Sequence, residues 1–327
     1  MDKYQVNYSP HIKTDESTPV IMSTVLLALA PPLVWGCFVF GWRALAVTVL
    51  TVAVCVASEA LFNLALRRPQ TVGDLSAVVT GVLLAFSLPA TVPLWIPVAG
   101  GVFAIIIVKM LFGGLGKNFM NPALAARVFL FSWPRHMNNW VKPFADLPVL
   151  RSMSQSEIDA LAEATPLREL SSGDFDYSNL INLFTGNVGG CIGEISTVLL
   201  IIGGLFLIAR KIITWHTPLS FIATVALFSA LFPGDNPPLQ YMLAQIMSGG
   251  LMLGAFFMAT DYSTSPILGR GKLIFGVGCG LITVLIRFLG GYPEGVSYSI
   301  LIMNAFVFII DRKIRPRRYG TGGAAHV

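Results

Sequence analysis

Charge is what this chain has least of. Charged residues make up 12% of its 327 positions and hydrophobic residues 54%, whereas a soluble domain carries roughly 25% charged residues. That balance excludes a water-soluble globular protein and places the chain in a bilayer. Cysteine is sparse too: Cys37, Cys55, Cys191 and Cys279 are scattered, with no CxxC pair among them. Neither a disulfide framework nor a zinc or iron–sulfur site built by this chain alone is signalled. No cleavable signal sequence is apparent, because the first 18 residues are polar (Asp2, Lys3, His11, Lys13, Asp15, Glu16) and the apolar run that follows is too long for one.

What is there is a succession of apolar runs. Taking stretches of about 17 to 25 residues as spans predicts an all-α polytopic membrane protein with ten transmembrane helices. They fall near 19–40, 44–66, 73–89, 92–112, 121–133, 190–209, 213–232, 239–258, 272–289 and 295–311, the third and fifth being short. The expected organisation is a polar N-terminal segment 1–18, a first five-helix unit 19–133, a polar loop 134–189, a second five-helix unit 190–311 and a basic tail 312–327.

Lys and Arg set the orientation. With the N-terminus cytoplasmic, the inside receives fourteen of them, including Lys3, Lys13, Arg67, Arg68, Arg210, Lys211 and the tail residues Arg312, Lys313, Arg315, Arg317 and Arg318. The opposite side receives Arg43 and, in the long loop, Arg135, Lys142, Arg151 and Arg168. Both termini are therefore expected in the cytoplasm and the 134–189 loop outside, in the cytoplasmic (inner) membrane of a bacterium or archaeon. The basic tail reads as an anchor at an anionic leaflet, about 1 kcal/mol per charge, and not as a nucleic-acid site.

The two five-helix units resemble each other weakly. "GVLLAFSLPAT" (81–91) aligns with "GLMLGAFFMAT" (250–260), and "GGLGKNFMNPA" (113–123) falls opposite "GGYPEGVSYSI" (290–300). Five helices per copy is an odd number, so the second copy must run inverted, an architecture that places sites where broken helices meet. The candidate breaks are "LPATVP", "GGLGKNFMNP", "MSGGLMLG" and "MATDYSTSP". Polar backbone at membrane depth is tolerated only against protein, a cavity or a ligand.

Within these breaks, Asn118 and Asn121 are three residues apart and share a face on a helical turn. Asn121 before Pro122 is equally a helix cap. Asp261 in "MATDYS" is either an intramembrane functional acid or a cap for the turn that follows. Lys109 and Arg287 lie near span ends, where they can snorkel. Arg127 needs a buried carboxylate or an anionic ligand, and Glu59 and Glu194 complete the set of ionisable residues within spans.

The polar loop holds "ALAEATPLREL" (160–170), in which Thr165 precedes Pro166 and follows Asp159 by six positions. A helix cap explains a threonine there. No Ser–His–Asp or Cys–His arrangement is visible nearby to activate its hydroxyl. No catalytic residue and no metal ligand is assigned to this chain.

"GKNFMNPALAARVF", "ATPL", "GGCIGEIST" and "FFMATDYSTSP", with the ten-span inverted pattern, resemble the NqrB/RnfD family over most of the chain. Within that family the short polar start resembles the RnfD branch, from the Rnf ferredoxin:NAD oxidoreductase complex that couples electron transfer to ion translocation. The resemblance implies that Thr165 is esterified to the phosphate of FMN by a separate flavin transferase. Asp159, Ala164 and Thr165 match that pattern, while Ala162 and Glu163 stand where Ser and Gly are usual. It also implies a second, noncovalent flavin, riboflavin or another, held by Asn118, Asn121 and Asp261. The apolar ring of such a flavin suits packing against Phe119 and Phe129, and Gly189, Gly190 and Gly193 suit close approach of backbone to a flavin or, equally, to another helix. The implied function is electron relay through both flavins, helping to couple redox energy to Na+ or H+ transport as one component of a translocase, inactive alone. The implied partners are the other membrane and peripheral Rnf subunits, including a second flavinylated subunit and iron–sulfur subunits, the transferase and the lipid bilayer. From the residues alone, a channel or secondary transporter for a small solute also suits an inverted repeat, though neither requires the polar loop.

Overall fold

The computed structural model describes residues 16–173, 175–290 and 294–314. Lys3, Lys13 and the tail residues Arg315, Arg317 and Arg318, used above to orient the chain, lie outside them. Regular structure among the described residues is helical throughout, apart from two isolated bridges. Helix α1 (Thr18–Phe40) turns at Gly41 directly into α2 (Trp42–Ala65). The turn needs φ +69° there, which glycine adopts without a steric penalty. Helix α3 (Ser76–Phe86) stops short, and α4 (Trp95–Val102) continues into a π-helix (Phe103–Met110). Helix α5 (Pro122–Leu130) ends the first half. The 134–189 segment carries four short helices: α6 (Pro134–Met137), α7 (Gln155–Leu161), α8 (Pro166–Ser172) and α9 (Leu180–Thr185). The second half holds α10 (Thr197–Ala209), α11 (His216–Leu231), α12 (Pro238–Met247), α13 (Leu251–Leu253) running into a π-helix (Gly254–Met258), α14 (Gly269–Leu289) and α15 (Val296–Lys313).

Among the described residues three helices, α1, α2 and α14, are long and apolar enough to cross a membrane, and α12 with α13 and its π-helix makes a fourth if that pair, bent by 62°, is one span. At 1.5 Å per residue the 23 residues of α1 reach about 34 Å. Helix α3, the α4 pair, α10 and α11 are apolar but shorter. Leu27, Val34, Phe38, Leu61 and Leu64 of α1 and α2 are exposed, the reverse of a soluble surface. Such a body gains little from burying apolar area and is held by close packing and by satisfied polar groups.

Both devices are visible. Pro32 lacks the N–H that would reach the Ala28 carbonyl. Gly203 of α10 lies against that oxygen, which a Cβ on Gly203 would meet at 2.7 Å. Where α3 stops, the orphan carbonyls of a helix end are met by the chain that returns from the long loop: Gly193 N–H donates to Phe86 and Ile192 N–H to Leu88, each at 3.0 Å. Gly193 has no side chain because Phe86 occupies the place, 2.0 Å from where its Cβ would be. The residues just after the predicted loop are thus wedged into the helical body.

Two arginines close the breaks. Arg43, 1% exposed, donates to the carbonyls of Ala90 and Val92 after α3 and of Pro148, Val149 and Arg151 in the polar segment. Arg287 donates to Gln245 and Ser248 at the end of α12, while the Thr197 hydroxyl caps Met247 at 3.1 Å. Arg43 is therefore no charge lying free in a loop, and Arg287 does not snorkel. Lys109 does not either: it is 2% exposed and pairs with Glu59 at 2.7 Å.

Candidate functional site

Thr165 is fixed by the local sequence. Val141 bridges Ala162, Lys142 N–H donates to the Leu161 carbonyl and Glu163 N–H to Trp140, both at 3.1 Å, so the chain enters α8 from a short paired stretch. Thr165 is the extended N-cap of α8, its hydroxyl accepting from Arg168 N–H at 3.3 Å, with Pro166 at the first helical position. Asp159, exposed on α7, accepts from Gln155 Nε2 at 2.8 Å. The capping explanation for Thr165 is thus realised in the geometry. Thr165 is also half-buried on a cleft of about 1220 Å³, some of it open space. Apolar walls come from Phe131, Trp140, Leu167, Leu183 and Ile195, and Arg168 lines the same cleft.

Glu194, Glu294 and Cys191 also line the cleft, and Arg127 lies behind them. Its guanidinium forks across two carboxylates, Nη1 to Glu194 and Nη2 to Glu294, each at 2.5 Å, and Nη2 reaches Cys191 Sγ at 3.5 Å. Carboxylates, not a phosphate, are therefore the partners of Arg127. Glu294 escaped the sequence reading because it sits in a short connection between helices, with no periodicity or motif to single it out. Glu194 stood out only as a charge in an apolar run.

A second cleft, with about 770 Å³ of empty space, is lined by Asn118, Asn121 and Asp261 together with Lys109, Phe256 and Phe257. The two asparagines come from the first half of the chain and the aspartate from the second, and the fold brings all three to one cavity. Their side chains are not equally available. Asn121 Oδ1 caps α5, accepting from Ala123 and Leu124 N–H at 3.0 and 3.2 Å, while Nδ2 donates to the Met258 carbonyl at 3.2 Å. Asp261 accepts from the Ser263 N–H and hydroxyl and from the Thr264 hydroxyl, which makes it the cap of its own turn. Asn118 donates to Met120 at 3.1 Å. Asn304 of α15, which the sequence did not single out, accepts from Asn121 N–H at 3.1 Å and donates to Thr264 at 2.9 Å, tying the first half to the second.

Phe119 and Phe129 do not line this cleft. Phe119 is exposed and meets Phe112 edge-on at 4.9 Å, and Phe129 stacks on Phe103 at 4.1 Å. Aromatic walls come instead from Phe256 and Phe257, on the π-helical stretch. Gly189 and Gly190 line the Thr165 cleft, whereas Gly193 serves the contact with Phe86.

Helix α5 joins the two clefts, with Asn121 at its start and Phe131 at its end, ten residues or about 15 Å apart. These features define a class: an all-helical, multi-pass membrane protein with a hydroxyl on one cleft and an amide and carboxylate set on another. The chain belongs to the NQR2, RnfD, RnfE family, whose model matches residues 5–320. It is 50% identical over 319 residues to the D subunit of the Na(+)-translocating ferredoxin:NAD(+) oxidoreductase complex of Acetobacterium woodii, covering 96% of this chain and 95% of that one. It is 41% identical to the D subunit of the proton-translocating ferredoxin:NAD(+) oxidoreductase complex of Clostridium ljungdahlii, over 97% of this chain and 96% of that one. It is also 41% identical to the D subunit of the ion-translocating oxidoreductase complex of Stutzerimonas stutzeri, over 92% and 91%.

Proposed function

We propose that this chain is the D-type membrane component of an ion-translocating ferredoxin:NAD(+) oxidoreductase complex, holding FMN through a phosphoester at Thr165 and a second, noncovalent flavin in the Asn121 cleft. Near full-length similarity to three proteins of that description supports membership of the complex. The observation that carries the flavin reading is the position of Thr165: a hydroxyl half-buried on a cleft large enough for a ring system, its hydrogen bond with the Arg168 N–H being one it accepts and not one it donates to a base.

The residues fit the groups. At Thr165, Arg168 offers a cation to a phosphate, and the apolar walls suit an aromatic ring. In the Asn121 cleft, Asn118 and Asp261 present an amide and an acid beside Phe256 and Phe257. Because the Asn121 amide is bound within the protein, Asn121 shapes this site by holding Met258 and the start of α5, and Asn118 is the side chain available to a ligand. Bound flavins supply the one- and two-electron chemistry, and the protein supplies position and electrostatics. Helix α5 would connect the two sites.

The fuller topology belongs to the same reading. Eight apolar helical segments among the described residues, with breaks after α3 and between α12 and α13, together with α5 and α15, are the basis for counting ten crossings in an inverted five-plus-five repeat in the inner membrane. The charge distribution supports cytoplasmic termini and an outer Thr165, where a flavin transferase would act. The other Rnf subunits would deliver and remove electrons and complete the path of the transported ion.

The test is in-gel flavin fluorescence of the denatured chain, coexpressed with a flavin transferase, for wild type and Thr165→Val. Fluorescence in the wild type that is lost in the variant is expected. A wild type without in-gel fluorescence, with the transferase active on a control substrate, would sink the covalent reading and leave open only the noncovalent flavin or a small-solute transporter.

A further inference from the structure

The Thr165 cleft contains more charge than attachment of a flavin requires. Arg127, Glu194 and Arg287 are buried, and Glu294 nearly so, although the four come from separate stretches of chain. The break between α12 and α13 makes the room. A Cβ on Gly250 would lie 2.8 Å from Glu194 Oε1 and 3.1 Å from Glu294 Oε1, and one on Gly249 3.4 Å from an Arg287 nitrogen. Both carboxylates converge on Gly250.

The hydrogen bonding is unequal. Glu194 Oε1 and Glu294 Oε2 each accept from Arg127, but Glu294 Oε1 is buried and meets no donor among the described residues. Arg127 Nε and Arg287 Nε are likewise buried without acceptors. A buried carboxylate oxygen with no donor is costly while charged, and a proton lowers that cost by removing the charge. The groups facing Glu294 are Arg127 from α5, Glu194 and the Cys191 thiol from the returning segment and Arg287 from α14, with the Tyr241 phenol of α12 beside Arg287. Arg168 faces the same cleft from α8.

With both arginines charged and both carboxylates ionised, this cluster is neutral. A negative charge arriving in a cleft of low dielectric leaves it uncompensated, and a neighbouring carboxylate then binds a proton more tightly. We propose that Glu194 and Glu294, held by Arg127 beside the Thr165 cleft, form a redox-linked proton site. When an electron from a partner subunit's redox carrier enters the cleft, one carboxylate takes up one proton from the aqueous phase, Glu–COO⁻ + H⁺ → Glu–COOH. When the electron passes to the next carrier, that O–H bond breaks and the proton returns to water. Glu294 is the residue that holds the proton, since its Oε1 is the oxygen without a donor. Arg127 is a positioning residue. The inference rests on Thr165 carrying a redox-active group, as proposed above.

The test is reduced-minus-oxidised infrared difference spectroscopy on the assembled complex, in wild type, Glu294→Gln, Glu294→Asp and Thr165→Val. Reduction of the wild type is expected to produce a protonated-carboxyl C=O band that shifts in D2O. The band should be lost in Glu294→Gln, persist at a shifted frequency in Glu294→Asp, and be lost in Thr165→Val. If Glu294→Gln does not assemble, the frequency shift in Glu294→Asp carries the assignment. No band from a wild type whose Thr165 fluorescence is intact overturns the proton site while leaving the flavin reading standing. So does a band unchanged by the substitutions at Glu294, or one that survives Thr165→Val. A wild type without Thr165-dependent fluorescence overturns the flavin reading and the proton site with it.

Discussion

Arg43 Nη2 donates to the carbonyl of Val92 at 2.7 Å, joining the start of α2 to the broken stretch after α3. The same guanidinium reaches Ala90 and three carbonyls between Pro148 and Arg151. Its Nη1 serves the three carbonyls of the 148–151 stretch while Nε and Nη2 serve one each after α3, a spread of donors that a lysine ammonium cannot match.

Replacing Arg43 with Met should therefore leave several buried carbonyls unpaired, at about 1 to 3 kcal/mol for each that finds no water. The expected result is a clear fall in the thermal unfolding temperature of the purified protein in detergent, with new protease cleavage near residues 145–152. Arg43→Lys should recover only part of the loss. An Arg43→Met protein as stable and as resistant as wild type would show that this guanidinium does not hold the 145–152 stretch.

The flavin proposed for the Asn121 cleft can be tested with two asparagines that differ in their hydrogen bonding. Asn121→Ala removes an N-cap and the tie to Met258, so both a loss of about 1 kcal/mol in stability and a fall in noncovalent flavin are expected. Asn118→Ala removes one short-range bond to Met120 and should lower extractable flavin with little change in unfolding temperature. Asp261→Ala should lower flavin as well. Measured as flavin released per protein on denaturation, unchanged occupancy in all three variants would remove them from the site.

Much of this arrangement was legible in the sequence because lipid imposes simple rules. Apolar length located the helices, proline and glycine runs located the breaks after α3 and α12, and Asn121-Pro122 announced a capped helix start that the structure contains. What stayed hidden depends on long-range partners. Arg43 read as a loop charge and Arg287 as a snorkelling one, because nothing local shows that the carbonyls they satisfy belong to breaks elsewhere in the chain. Glu294 carried no signal, since its importance comes from Arg127, 167 residues away. Phe119 and Phe129 looked like ring partners by proximity to Asn118 and Asn121, yet Phe119, in the bend before α5, packs on Phe112, and Phe129, in α5, packs on Phe103, so neither lines the cleft.

The 134–189 segment offers a pH-dependent prediction at α7, which a reciprocal capping box begins. Glu157 accepts from Arg151 Nη2 at 2.6 Å and from the Ser154 N–H and hydroxyl at 2.8 and 3.0 Å, and its own N–H donates to Ser154 Oγ. The Arg151 bond first, then the two from Ser154, hold its carboxyl down from 4.5 to about 2. A carboxyl with a depressed folded value favours the folded helix at every pH above its unfolded value, and that contribution fades as pH falls from about 4.5 through about 2. Hydrogen-exchange protection of residues 157–161, corrected for the intrinsic rate at each pH, should therefore be flat above about pH 5 and decline below about 4.5. In Glu157→Gln the protection should be lower near neutrality and lack that acid-side decline, apart from global unfolding. Salt should weaken the wild-type advantage only in part, because the Arg151 pair is exposed to screening whereas the two Ser154 bonds do not depend on a second charge. A decline of equal size in wild type and Glu157→Gln would assign the acid sensitivity to another group and dissociate the cap from the titration.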